Sequence, residues 1–144
     1  MTRLAYPVGA VASKIKTGFI QPMLLQRTER LPEGPDWLYE LKLDGYRALA
    51  IKTGGKLQLR SRNNNDFSVR YPTIAKALAA LLDETVIDGE LVALDASGRP
   101  VFNALQNFGS AGLTLVYYVF DVLVLNGEDM RPQPLQGPAG PDSR

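Results

Sequence analysis

Three short runs with alternating apolar and polar residues, joined by glycine turns, constrain this chain most. In the first, Trp37, Tyr39 and Leu41 fall on one face, with Leu38, Glu40 and Lys42 on the other. Asp44-Gly45 then supplies turn chemistry, and Tyr46 to Thr53 reads as the second strand. Gly54-Gly55 forms a further turn, and Leu57 to Ser61 a third strand. Connections this short leave no room for the long crossover that parallel neighbours need, so the runs should form an antiparallel meander.

Around that meander the other elements follow in order. Residues 1–18 mix Gly, Ser, Thr and scattered basic residues without periodicity, and read as a flexible N-terminal arm. Phe19 to Leu25 is apolar and extended, with Pro22 opposing a helix interior. Leu31 to Pro35 and Asn63 to Ser68 have loop composition. Pro72 opens an expected helix running to Leu82, with an apolar stripe of Ile74, Leu78, Leu81 and Leu82. Thr85 to Leu94 reads as a strand crossed by Asp88-Gly89-Glu90, Phe102 to Phe108 as a short helix, and Leu113 to Leu125 as a long β-branched and aromatic strand. Asn126-Gly127 ends that strand. The expected architecture is α+β, antiparallel β-sheets with inserted helices, packed over residues 19–131. Residues 132–144, rich in Pro and Gly, read as a disordered tail.

Composition limits the chemistry. The chain has no cysteine and no histidine, which excludes a disulfide framework, a thiol nucleophile and a histidine base. Lysine and arginine number 16 against 15 acids, a net charge of +1, so any basic surface must be local. No apolar run approaches the roughly 20 residues that span a bilayer, and the N-terminus lacks a signal-peptide pattern. A cytoplasmic protein with no membrane partner is the default expectation.

Lys42 is the residue to weigh. On spacing alone it is an exposed strand lysine, and Glu40 and Asp44 beside it favour the charged, unreactive amine. Arg47 and Arg62 read equally well as ordinary strand-face cations, and Phe120 as core. Asp88 and Glu90 share a face with Val86, Val92 and Leu94, an uncomfortable place for idle carboxylates.

Four stretches together resemble the ATP-dependent DNA ligases, with bacterial end-joining ligases as the nearest type. Lys42-Leu43-Asp44-Gly45, preceded by Glu40 and followed by Arg47, resembles the Lys-x-Asp-Gly motif of nucleotidyl transfer. Ser61-Arg62-Asn63 with Asp66, Asp88-Gly89-Glu90, and Phe120-Asp121-Val122-Leu123 resemble the elements that follow it, in the same order. Phe19 to Leu24 and Asp36-Trp37 resemble the run-in. The resemblance implies a nucleotidyltransferase (ATP-grasp-like ligase) domain using ATP and Mg²⁺ on nicked or broken double-stranded DNA, in repair or recombination. It implies Lys42 as the nucleophile that accepts AMP, with Glu40 and the Leu41 backbone near adenine. Arg47 and Arg62 would contact ribose and phosphates, Glu90 the ribose or hydrated Mg²⁺, and Phe120 the face of the base. An RNA-joining or capping-type nucleotidyltransferase and an inactive binding fragment are the alternatives. Gln136 to Arg144 lacks the later glutamate and paired-lysine motifs of ligases, so the expected domain is incomplete, from truncation or a frameshift.

Overall fold

The computed structural model describes residues 14–106 and 112–134. Its centre is one antiparallel sheet of five strands in the order β2-β1-β3-β4-β5. The strands are β1 (Tyr46–Thr53), β2 (Lys56–Ser61), β3 (Thr85–Leu94), β4 (Thr114–Leu125) and β5 (Glu128–Asp129). The class is α+β with antiparallel pairing, as the alternation predicts.

β1 and β2 are joined by Gly54 and Gly55 at φ +57° and +76°, with Thr53 opposite Lys56. Two consecutive left-handed residues give a turn whose twist matches that of the strands, a conformation glycine adopts without steric cost. On its other side β1 pairs with β3, placing Arg47 opposite Glu90 and Leu49 opposite Asp88.

Helix α1 (Pro72–Ala77), a 3₁₀ turn (Leu78–Ala80) and α2 (Phe102–Gln106) cover one face of the sheet. Ala48, Ala50, Ile87, Leu91 and Ala93 meet Tyr71, Ile74 and Leu105 there. The buried Tyr71 hydroxyl donates to the Leu105 carbonyl at 2.9 Å, tying the start of α1 to α2. The opposite face has a smaller core of Leu49, Ile51, Val86 and Val124, covered by Phe19, Ile20 and Leu123. An extended segment, not a helix, closes that side.

Several expectations need correction. The run Trp37–Lys42 forms no strand, and Trp37, Leu38, Tyr39 and Leu41 are exposed. Its alternation is real, but a strand is stabilised by a neighbour's hydrogen bonds and cross-strand pairs, and no described strand pairs with it. The helix from Pro72 tightens into the 3₁₀ turn after Ala77 and ends before Leu81, which turns away at ψ 146°. The second helix ends at Gln106 within the described residues, and the rest of its expected span lies outside them. β4 begins at Thr114, and the two-residue β5 beyond Asn126-Gly127 was not expected.

Of the expected arm, residues 1–13 lie outside the described residues, as does the expected tail from Leu135 onward. Lys14 to Gly18 is described and tethered. The Ile15 amide donates to the Gly127 carbonyl at 3.0 Å, and the Thr17 amide to the Glu84 carboxylate at 2.5 Å. That hydrogen bond is the main cause holding the Glu84 carboxyl below its ordinary range. No helix among the described residues is long and apolar enough to cross a membrane.

Candidate active site

On the sheet face away from the helices lies a cavity of about 600 Å³. Glu40, Leu41, Lys42, Arg47, Glu90 and Phe120 all line it, so six of the seven sequence-predicted site residues converge. Asp88 and Asp121 line it too, and the extended segment from Ile20 to Leu25 forms a wall. Arg62 does not line it. That residue is exposed in the turn after β2, where its carbonyl accepts a hydrogen bond from Gln21 Nε2 at 3.4 Å.

Strand periodicity explains the convergence. Arg47 and Leu49 of β1 share a face with Asp88 and Glu90 of β3, because residues paired directly across two strands project to the same side. Arg47 does not use Glu90, its direct neighbour. It reaches diagonally to Asp88, with Nε to Oδ1 and Nη2 to Oδ2 both at 2.7 Å. This forked geometry is the strong form of an arginine–carboxylate pair. The Asp88 side chain is 4% exposed and that of Arg47 18%, so the pair is largely withdrawn from water. The guanidinium also lies over the Phe120 ring, 4.7 Å from its centroid.

Phe120 and Asp121 both face the cavity although they are consecutive, which a regular strand forbids. The β3–β4 register passes from Gly89↔Val119 to Asp88↔Asp121, leaving Phe120 unpaired in a bulge. Such an extra residue re-aims its neighbours. A second register shift does the same at Leu123, which joins the small core on that face.

Two glycines set how tightly the strands approach. A Cβ at Gly45 would overlap the Leu91 carbonyl oxygen, and one at Gly89 would overlap the Tyr118 carbonyl and strike the Tyr117 ring. The glycine after Asp44 therefore serves close approach of β1 to β3, which brings the Lys42–Asp44 turn beside Glu90. With Arg47 committed to Asp88, Glu90 makes no ion pair among the described residues. Burial pushes its carboxyl above the ordinary glutamate range, against the opposing pull of the Gly45 amide, Arg47 and Lys42.

Lys42 sits at the cavity rim. Its Nζ lies 3.0 Å from Asp44 Oδ1, with the two side chains 73% and 71% exposed. The hydrogen bond to Asp44, and then the carboxylate's charge, raise the lysine pKa above its ordinary value. In this arrangement the amine is a protonated ammonium ion at neutral pH. Attack on an electrophile requires the pair with Asp44 to open. Among the described residues no group of three or more His, Cys, Asp or Glu side chains could hold a metal ion.

The sequence reading missed Asp88 as the anchor of Arg47. Alternation identified the face of Asp88, yet the diagonal reach of Arg47 leaves no local pattern.

Comparison with known proteins places the chain. A family model described as ATP dependent DNA ligase domain matches residues 22–137. The multifunctional non-homologous end joining protein LigD of Pseudomonas aeruginosa is 41% identical over 142 residues, covering 92% of this chain and 17% of that protein. The crystal structure of the ligase domain from M. tuberculosis LigD superposes with a TM-score of 0.57 at 38% identity, covering 67% of this chain and 32% of that one. A mycobacterial DNA ligase D complexed with ATP and MES gives a TM-score of 0.52 at 38% identity, covering 62% and 30%. The chain thus spans under a third of the length of the first and about a third of the other two.

Proposed function

The chain belongs to the family of ATP-dependent DNA ligase domains, and on that footing we propose that it is part of an adenylation domain acting in the joining of DNA breaks. Lys42 is the nucleophile. Its Nζ, once deprotonated, forms a bond to the α-phosphorus of ATP; the bond from that phosphorus to the bridging oxygen breaks, and pyrophosphate leaves. AMP then passes from the lysine to the 5′-phosphate of nicked or broken duplex DNA, and attack by the 3′-hydroxyl closes the strand and releases AMP. The convergence of Lys42, Arg47, Glu90 and Phe120 on one cavity carries this reading.

The other roles follow from chemistry at that cavity. Phe120 offers an aromatic face to the base, and Glu40 and the Leu41 backbone flank it. Arg47, already oriented by Asp88, presents guanidinium hydrogens to ribose or phosphate oxygens. Arg62 serves a phosphate from outside the cavity. Glu90 fits the ribose hydroxyls or Mg²⁺, since that ion takes one or two carboxylates and fills its sphere with water and substrate phosphates. Bound there, Mg²⁺ would neutralise phosphate charge.

The test is incubation with α-labelled ATP and Mg²⁺. A covalent AMP adduct is expected, absent in Lys42→Ala. Because the pair with Asp44 raises the lysine pKa, adduct formation should climb with pH throughout the neutral and mildly alkaline range. Failure to form any adduct, or an adduct that persists in Lys42→Ala, overturns the assignment.

A further inference from the structure

Glu84 lies outside the cavity, immediately before β3, with its backbone at φ +53°. A residue other than glycine seldom adopts that left-handed conformation, and it persists only where the surroundings hold it. Here they hold it from three directions. The Glu84 carbonyl accepts the Gly127 amide at 2.8 Å, from the turn between β4 and β5. Its Oε1 accepts the Thr53 hydroxyl at 2.8 Å and, more distantly, the Gly54 amide at 3.4 Å, both at the β1–β2 turn. Its Oε2 accepts the Thr17 amide alone.

The plain account of such a residue is a cap for the β1–β2 turn, and it covers Oε1 only. That turn already has two left-handed glycines and a second cap, since Asp83 Oδ1 accepts the Gly55 amide at 2.9 Å. Oε2 is directed instead at a segment 67 residues away in sequence. The same segment is gripped by the β4–β5 turn. The Ile15 amide donates to the Gly127 carbonyl, and a Cβ at Gly127 would lie 2.8 Å from Lys14 Cβ.

Beyond this clamp the chain becomes the cavity wall. Thr17 is buried, Ile20 both covers the small core and lines the cavity, and the wall continues to Leu25. Little else holds it. Met23, Leu24 and Leu25 are exposed. Among the described residues, the 3.4 Å contact from Gln21 to the Arg62 carbonyl is the one hydrogen bond made by residues 18–25. Ordering an extended segment costs backbone entropy at every residue, so a charge-assisted bond at its anchored end carries weight out of proportion to its number.

We propose that Glu84 is a positioning residue for the cavity: its Oε2, by clamping the Thr17 amide, fixes the wall from Ile20 to Leu25 over the bound nucleotide. The nucleotide as occupant rests on the ligase reading; the clamp does not. Backbone ¹⁵N relaxation of the full chain, with ATP affinity read from the melting temperature at rising ATP, tests it. Glu84→Gly removes the carboxylate and relieves the left-handed backbone, so the sheet should stay folded. Order parameters over residues 19–25 should fall from about 0.85 toward 0.6 while those of β3 hold. ATP should bind about tenfold more weakly, because the competent arrangement of the wall is then populated only part of the time. Thr53→Val removes the turn's donor to Oε1, leaves Oε2 in place, and should change neither reading. An unaltered wall in Glu84→Gly, an equal loss in Thr53→Val, a wall already mobile in the parent, or a loosened wall with undiminished ATP affinity each overturns the proposal. A wall loosened in Glu84→Gly alone, with no ATP-induced shift even in the parent, would uphold the clamp while refuting the nucleotide reading of the cavity.

Discussion

Successive residues of β3 meet two differently built surroundings. Ile87, Gly89 and Leu91 face the helices, where Leu91 is fully buried and Tyr71 and Leu105 close the layer. Tyr46, Phe67, Tyr71 and Phe102 pack ring against ring on that side, with centroids 5.4–5.9 Å apart. The Tyr117 hydroxyl donates to the Ala48 carbonyl at 2.9 Å, and burial pushes its pKa well up. Asp88 and Glu90 face the other way, beneath an extended segment and beside a cavity. One side is sealed with apolar volume; the other tolerates charge because Arg47 satisfies Asp88 with two short hydrogen bonds. A two-residue period lets the same strand hold the fold together on one face and present reactive groups on the other.

Substitutions at neighbouring β3 positions can break that contrast. Leu91→Ala should have the largest effect, a loss of about 2–5 kcal/mol in urea unfolding, because the sealed side cannot readily collapse into the void. Ligand affinity should fall only in proportion to the unfolded fraction. Asp88→Ala should cost less, about 2 kcal/mol, since Arg47 loses a buried partner yet can turn toward water. Its distinguishing mark is a weaker response to nucleotide in thermal shift even where the variant is fully folded.

Glu90→Gln should be the mildest and opposite in sign. A carboxyl whose folded pKa is raised favours the fold at pH below its ordinary titration, and that advantage disappears as pH rises through the folded value. The variant should therefore melt slightly higher than the parent at pH 7 and no higher at pH 4, while nucleotide binding weakens. A melting temperature lower than the parent's at pH 7 would show that Glu90 is paired in solution, and the contrast between the faces would shrink.

Much of the sheet was legible because its signals are local. The bounds of β1 follow from alternation between glycine turns and those of β3 from its run of β-forming residues, and the structure returns both unchanged. Trp37–Lys42 carries an equally clean pattern and remains unpaired among the described residues, since alternation states which residues would share a face but not whether a neighbour exists. The cavity was legible as a set of motifs; its internal wiring was not. Arg47 and Asp88 are 41 residues apart, and the choice of Asp88 over Glu90 depends on diagonal reach. The bulge that turns both Phe120 and Asp121 inward lies opposite Gly89, whereas the shift at Leu123 has no glycine beside it. The bulk charge balance allows a local excess, and residues 45–82 hold seven lysines and arginines against a single acid.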